Sequence, residues 1–317
     1  MRHVDDWARV SPEDMAGLYA QEAERWRAEL DWDTAETWDT LERARREGRV
    51  PGFVVRHANG AIAGWTYYLL HGRELQIGTM TSSSPGTTSM LLEAVLASPA
   101  ALVAHRVLFF AFTQAPEIGA ALTARGFDVG RERYLTCRLT PDQPASRAVR
   151  IWHGDDLDAV ASVLRAAYGG PDPCRAFAPG DTCEEWRAYV QQIALTGGCG
   201  RFLPALSQVA PGTADGLDGV ALVTAVSPLT AHLAQLAVRP QAAGRGLGAR
   251  LLATVRADAA AAGYTRLSLL VSEGNTRAQR LYARAGFTGT ATFTAATRLV
   301  PGPGCTPRET SASLQRV

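Results

Sequence analysis

The fold is decided by residues 233–287, which read LAQLAVRPQAAGRGLGARLLATVRADAAAAGYTRLSLLVSEGNTRAQRLYARAGF. Apolar residues alternate along 233–238, which predicts a strand. Pro240 ends that strand, because proline has no N–H group to donate to a strand ladder. Apolar residues at helical spacing then predict a helix that ends near Gly263. A buried strand is predicted over 265–271, and a short helix from there leads into a Gly-Phe turn.

Three glycines precede the predicted helix, at positions 244, 246 and 248. A helix start presents unpaired N–H groups and the positive end of the helix dipole, and glycines let a ligand approach without Cβ clashes. This combination predicts a cradle for a pyrophosphate. The G-x-G-x-G spacing differs from the G-x-G-x-x-G of dinucleotide folds. The chain has no lysine, which excludes a P-loop.

Two motifs flank this helix. The first is V-x-P-x-x-x-G-R-G-L-G from Val238, and the second is N-x-x-A-x-x-x-Y-x-x-x-G-F from Asn275, one of only two asparagines in the chain. Together they resemble the GNAT superfamily of acyl-CoA-dependent N-acyltransferases, and the resemblance extends over residues 150–300. The family usually has Arg or Gln before the first glycine, where this chain has Ala243. Because the cradle is mainly backbone, the cofactor prediction stands.

The resemblance implies acetyl-CoA, or another short acyl-CoA, as co-substrate, and no metal. The family's strand before the glycine loop splays from its neighbour, and its free backbone groups bind the pantetheine arm and the thioester. The matching residues here are Leu236, Ala237 and Val238. The pyrophosphate would be held by the loop and the helix start, which comprise Gly244, Arg245, Gly246, Leu247, Gly248 and Ala249. For Arg245, a solvated surface position is an equal alternative.

Proton transfer requires an acid for the leaving thiolate and a base for the amine. Tyr282 matches the family's general acid, and its alternative is a core tyrosine on a helix that packs beside the sheet. Asn275 matches a residue near the cofactor and is equally suited to be the N-cap of its helix. His232 lies six residues before Val238, where the histone acetyltransferases of the superfamily carry their glutamate base. Its alternative is a solvent-facing histidine at the start of the strand.

The order of elements occurs twice along the chain. Residues 1–48 are predicted to be helical, and residues 52–81 to form three strands with a hairpin turn at Asn59-Gly60. These strands are followed by a loop, a helix, a strand over 106–112, a helix, the pair Gly126-Phe127 and a strand over 134–139. In the second half, two helices over 149–196 and strands over 201–207 and 219–226 precede the opening stretch. The fold class is therefore α/β with a mixed sheet. We expect two tandem GNAT domains, each with a mixed, mostly antiparallel sheet flanked by helices.

The predicted domains are chemically unequal. Residues 1–140 form a degenerate N-terminal GNAT-like domain, because the loop 82–88 (SSSPGTT) lacks alternating glycines and carries a proline. Residues 141–148 form a linker, and residues 149–300 form the catalytic domain. Residues 301–317 are rich in Pro, Gly and Ser and predict a flexible tail.

Charge and cysteine content argue against several kinds of partner and site. The net charge is +1, so nothing favours nucleic acid or a membrane as a partner. The five cysteines include no C-x-x-C pair, which argues against a disulfide framework or a zinc site and favours a cytoplasmic location. We expect a small-molecule primary amine as acceptor. A protein N-acetyltransferase and a non-catalytic acyl-CoA sensor remain alternatives. The oligomeric state stays open, and a monomer is possible because the tandem would mimic a dimer.

Overall fold

The computed structural model describes residues 3–111, 115–140, 149–196, 199–212 and 216–300. The predicted linker at 141–148 and the predicted tail at 301–317 lie outside these residues. Within them, the strands are β1 (His3–Asp6), β2 (Gly52–Arg56), β3 (Ile62–His71), β4 (Glu74–Ser82), β5 (Arg106–Ala111), β6 (Asp128–Arg138), β7 (Arg150–Ile151), β8 (Arg201–Phe202), β9 (Gln208–Pro211), β10 (Leu217–Ala225), β11 (Thr230–Val238), β12 (Arg266–Ser272) and β13 (Thr288–Leu299). The α-helices are α1 (Pro12–Leu30), α2 (Ala35–Arg46), α3 (Pro85–Leu96), α4 (Pro99–Val103), α5 (Ile118–Thr123), α6 (Leu157–Tyr168), α7 (Cys183–Gln191), α8 (Leu247–Ala261) and α9 (Thr276–Arg284).

Most predicted elements are present, and three differ. The N-terminal residues were predicted to be helical, but His3–Asp6 form β1, which adds to the edge of the sheet beside β2. The predicted strand over 201–207 is split, because Pro204 cannot continue a ladder and starts a 3-10 turn between β8 and β9. Strand β6 begins at Asp128, six residues earlier than predicted, because it forms ladders with β12 on one side and β13 on the other.

All strands belong to one mixed sheet with the order β1-β2-β3-β4-β5-β13-β6-β12-β11-β10-β9-β7, and β8 pairs with β10. Helices cover both faces, so the predicted α/β class with a mixed sheet flanked by helices is confirmed. In the C-terminal half, α8 and α9 pack on one face, and α6 and α7 pack on the other.

The two halves exchange their last strands. Strand β13, from the C-terminal half, lies between β5 and β6 of the N-terminal half, and β6 pairs with β12 of the C-terminal half. Because β13 is antiparallel to both β5 and β6, those two strands run in the same direction with a gap of one strand between them. Each half therefore leaves a gap beside its own sheet, and the other half fills it.

The halves also contact each other through equivalent loops. The turn after α1 reaches the C-terminal half, where Asp33 N donates to Val226 O at 2.7 Å and the Trp32 ring packs edge-on against His232. The loop after α6 reaches the N-terminal half, where Arg106 donates to Arg175 O at 2.7 Å. These contacts and the exchanged strands join the halves into one sheet with pseudo-twofold symmetry.

Candidate functional site

The parallel strands β11 and β12 diverge and open a V-shaped gap. They pair from Thr230 opposite Arg266 to Leu233 opposite Leu269 and no further. At the point of divergence the ladder between β10 and β11 shifts its register and leaves Ala234 without a partner. Such a β-bulge bends its strand and increases its twist. The rest of β11, which includes the predicted residues Leu236, Ala237 and Val238, therefore has no ladder partner on its β12 side.

The glycine loop lies where β11 ends. Gly244 and Gly246 have φ values of +79° and +75°, in the left-handed region that glycine adopts without strain. A Cβ atom at Gly248 would lie 3.7 Å from Val238 Cγ2 and 3.6 Å from Leu281 Cδ2, which places the start of α8 close to both β11 and α9. The predicted loop, the strand end and α9 are thus brought together around the V-shaped gap.

The start of α8 is uncapped. Its N-cap residue is Gly246, and no described side chain accepts a hydrogen bond from its first turn. The N–H groups of Leu247, Gly248 and Ala249 therefore have no intrahelical partner and point out of the helix start. Arg245 is exposed beside them, and its carbonyl accepts from Arg250 at 3.0 Å. The uncapped start of this 15-residue helix offers free N–H donors and the positive end of the helix dipole, the features with which helix starts bind anions.

The corresponding helix of the N-terminal half, α3, is self-capped. Ser84 Oγ accepts from Thr87 N at 3.3 Å, and Pro85 has no N–H to offer. In the first turn of α3, one backbone N–H group is thus already hydrogen-bonded and another is missing, whereas the equivalent N–H groups of α8 are free. The pair β4/β5 still diverges after Ile77 opposite Phe109, so the N-terminal half keeps a similar divergence without the open helix start.

Helix α9 brings two of the predicted residues to the gap. Asn275 is its N-cap and accepts from Ala278 N at 3.0 Å, while the residue itself is exposed. Tyr282 is 7% exposed, packs against Phe287 and makes no hydrogen bond with any described residue. Burial, and secondarily Tyr168, raise the pKa of Tyr282 well above its ordinary value. Its hydroxyl therefore stays protonated at neutral pH.

A polar network on the opposite face of the sheet was not predicted. Tyr168 donates to Gln235 Oε1 at 2.9 Å, and Gln235 Nε2 donates to Tyr189 Oη at 2.5 Å. Tyr168 is 41% exposed, whereas Gln235 is 8% exposed. Burial of the hydroxyl is the main cause that raises the pKa of Tyr168 to about 12. The available signal was Gln235 itself, a polar residue within an otherwise apolar strand.

His232 lies in the closed part of the gap, opposite Ser268 in the paired segment of β11 and β12. It is 3% exposed, its Nδ1 is 2.9 Å from Ser268 Oγ, and its ring packs against Trp32 and Tyr134. Burial lowers the pKa of His232 to about 3. These surroundings are those of a neutral histidine in the core, which argues against both the base role and the solvent-facing alternative.

We expect His232 to lower the stability of the folded protein in acid. Its pKa is about 3 in the folded state and about 6.5 in the unfolded chain, so only the unfolded chain binds a proton between these values. Stability therefore falls as the pH drops from 6.5 towards 3, by up to about 1.4 kcal/mol per pH unit from this residue. The free energy of unfolding, measured in urea at pH values from 6.5 to 4, should fall less steeply with pH in His232→Gln than in wild type. An equal dependence of stability on pH in the two proteins would contradict this account.

Within the described residues, no group of three or more His, Cys, Asp or Glu side chains is placed to hold a metal ion. None of the helices in the described ranges combines the length and hydrophobicity needed to cross a bilayer.

Comparison with known proteins supports the resemblance. Residues 180–287 match the sequence model of the Acetyltransferase (GNAT) family. This match begins in the loop before α7 and ends at Phe287, so it covers the V-shaped gap, the glycine loop and α9. No curated protein sequence matches the chain.

Solved structures match almost the whole chain. A GCN5-related N-acetyltransferase from Sphaerobacter thermophilus is 18% identical, with 95% of this chain and 97% of that chain covered and a TM-score of 0.64. A tandem GNAT protein from the clavulanic acid biosynthesis pathway is 16% identical, with 96% and 100% covered and a TM-score of 0.60. At these identities the likeness concerns the fold. The chain therefore has the fold of a tandem GNAT protein, and its GNAT sequence match lies in the C-terminal half.

Proposed function

We propose that this chain, whose residues 180–287 match the GNAT acetyltransferase family, transfers the acyl group of acetyl-CoA or another short acyl-CoA to a primary amine. The observation that carries the proposal is the uncapped start of α8 beside the V-shaped gap. A pyrophosphate would accept from the free N–H groups of residues 247–249. The acyl-pantetheine arm would lie in the gap, along the unpaired edge of Leu236, Ala237 and Val238.

The geometry of the loop fits an acyl-CoA. No heavy atom lies within 4 Å of the Cβ position of Gly244, and only Arg250 Nη1 comes within that distance at Gly246. Arg245 and the amide group of Asn275 are exposed near the helix starts and supply further donors to phosphate oxygens.

The proposed reaction is direct attack. The neutral amine nitrogen attacks the thioester carbonyl carbon, the C–S bond breaks, and the nitrogen gives up one proton to a base as the amide forms. Tyr282 donates its phenolic proton to the departing thiolate, because its raised pKa keeps the proton on the hydroxyl until a strong acceptor forms beside it. Unpaired backbone N–H groups of β11 polarise the thioester carbonyl.

We assign catalysis to the C-terminal half, residues 149–300, and treat residues 1–140 as a degenerate partner domain. The self-capped start of α3 supports this division, because the N-terminal half offers fewer free donors to a pyrophosphate. We propose a small molecule as the acceptor.

A matched pair of glycine variants tests the cofactor site. Gly246 and Gly263 flank the two ends of α8 with φ values of +75° and +91°. Alanine at either position costs about 1 kcal/mol of stability through the left-handed backbone. Gly246→Ala should also weaken acetyl-CoA binding at least tenfold, because its Cβ intrudes on the cradle, whereas Gly263→Ala should leave binding unchanged.

Isothermal titration calorimetry with acetyl-CoA measures both effects and the number of sites. We expect one high-affinity site per chain. Equal affinities for the two variants would show that the cofactor binds elsewhere. Two equivalent sites would contradict the assignment of the N-terminal half as degenerate.

A further inference from the structure

The exchanged strand β6 carries a carboxylate from the N-terminal half to the level of the open end of the gap, beside the end of β12. Glu132 pairs with Ser272, the last residue of β12, three residues beyond the point where β11 and β12 separate. Residues directly opposite each other in an antiparallel pair share a face of the sheet, with Cβ atoms about 4.5–5.5 Å apart. Glu132 therefore lies beside Ser272. It shares its face with Tyr134, two residues on, which stacks on the ring of His232.

Glu132 and Tyr282 meet around one hydroxyl group. The Tyr168 hydroxyl bonds to Gln235 on β11, and it interacts electrostatically with both Glu132 and Tyr282. The carboxylate and the proposed proton donor therefore both lie near the Tyr168 hydroxyl, beside the strand end that borders the gap. An acid and a base on either side of the reacting thioester are what acyl transfer to an amine requires.

From this arrangement we infer that Glu132 is the general base of the C-terminal site, supplied by the N-terminal half through the strand exchange. The inference rests on the proposed function. The ammonium form of the acceptor gives its proton to a Glu132 carboxylate oxygen, and the nitrogen lone pair then attacks the thioester carbon. The C–S bond breaks, and Tyr282 protonates the leaving sulfur. The amide nitrogen loses its second proton as it forms, and that proton restores the Tyr282 phenol. The two protons lost by the ammonium group thus end on Glu132 and, by way of Tyr282, on the leaving sulfur, with no further reactant.

The surroundings of Glu132 suit a base at neutral pH. Burial, and secondarily the charge of Glu273, raise the pKa of Glu132 to about 7. Glu273 is fixed by its backbone N–H, which donates to Arg131 O at 2.9 Å, and its carboxylate lies 3.8 Å from Arg131 Nε. Glu273 and Tyr168 are the titratable groups that interact with Glu132. Within the described residues, the Glu132 side chain forms no ion pair or hydrogen bond.

The same feature is missing from the other half. Strand β13, which fills the equivalent gap beside β5, reads TGTATFTAATRL and contains no acidic residue. The exchange thus gives a carboxylate only to the half with the open helix start. This asymmetry is expected if Glu132 serves the C-terminal site.

Glu132→Gln tests the assignment, with Asp128→Asn as the matched control. Both remove one charge from β6, but Asp128 lies at the far end, opposite Thr297. The probe is the small primary amine that gives the fastest thiol release from acetyl-CoA. We expect Glu132→Gln to lower kcat/KM at least tenfold and to remove the acidic limb of its pH profile near pH 7. Asp128→Asn should match wild type.

A second variant separates catalysis from structure. Glu273→Gln removes the charge that adds to the effect of burial on the pKa of Glu132 and keeps the base, so the acidic limb should move to lower pH with little change in the maximal rate. Glu132→Gln should fold normally, because a carboxylate whose pKa is raised by burial destabilises the protein above pH 7. Thermal melts at pH 8 check this.

Carbon-13 NMR of labelled glutamate carboxylates adds a readout that needs no acceptor. One signal should titrate near pH 7 and disappear in Glu132→Gln. If wild type transfers acyl groups while Glu132→Gln retains the rate and the acidic limb, Glu132 is not the base and the proposed function survives. If wild type transfers nothing to any amine, the proposed function itself fails.

Discussion

Neither half of the chain, produced alone as residues 1–140 or 149–300, will form a stable monomer. In the first half, β6 would lose both of its neighbours, and β5 would lose β13. Strand β6 cannot take the place of β13, because it runs parallel to β5 and the vacant position requires an antiparallel strand. Each lost ladder hydrogen bond costs about 1 kcal/mol, whereas a whole domain is stable by about 5–15 kcal/mol.

The lost apolar contacts are equally large. Leu135 and Cys137 of β6 belong to the core of the C-terminal half, and Ala296 of β13 belongs to the core of the N-terminal half. We expect each half alone to be insoluble or to pair with a second copy that fills its gap. Co-expression of the two halves should restore a complex that elutes and melts like the intact chain. A monomeric half with a cooperative melt and acetyl-CoA affinity would contradict the interlocked fold.

Tyr282→Phe should lower kcat about a hundredfold and leave the affinity for acetyl-CoA within twofold of wild type. The variant removes only the hydroxyl oxygen, and no described residue bonds to that oxygen. The packing of the ring against Phe287 is kept. The loss should therefore appear in the chemical step, where a proton donor contributes about 10²-fold or more.

Tyr264→Phe is a suitable control for the tyrosine, because Tyr264 lies after α8 at the far end of that helix from the glycine loop. Steady-state kinetics and calorimetry on the three proteins separate kcat from binding. An unchanged kcat in Tyr282→Phe would remove Tyr282 from the acid role. A large loss of affinity with unchanged kcat would make it a binding residue instead.

The proposed cofactor side of the site could be predicted because it is local in sequence. The strand end, the glycine loop and the start of α9 all fall within residues 233–287, and their spacing follows from one strand–helix–strand–helix unit. The conformations that the loop needs are also local, since Gly244 and Gly246 themselves adopt positive φ. The role of Asn275 as an N-cap followed from its position before the helix and is confirmed by the bond to Ala278.

The proposed acceptor side could not be predicted, because tertiary structure assembles it. Glu132 is brought opposite Ser272 at the end of β12 by a strand exchange that no local pattern indicates. The bulge at Ala234 also changes which side chains share a face. His232 and Gln235 are three residues apart and would face opposite ways in a regular strand. Because of the bulge, both side chains instead lie on the sheet face that α6 and α7 cover. Gln235 lies beside the open gap, and His232 is buried at its closed end.

The central claim is that the V-shaped gap and the start of α8 hold an acyl-CoA for transfer to an amine. Release of free thiol from acetyl-CoA, measured with the intact chain against a panel of small primary amines, tests it most directly. The proposed function predicts thiol release that depends on the amine and equals the amount of acylated amine formed. Tight binding of acetyl-CoA with no amine-dependent release across the panel would contradict it, and would make the chain an acyl-CoA sensor.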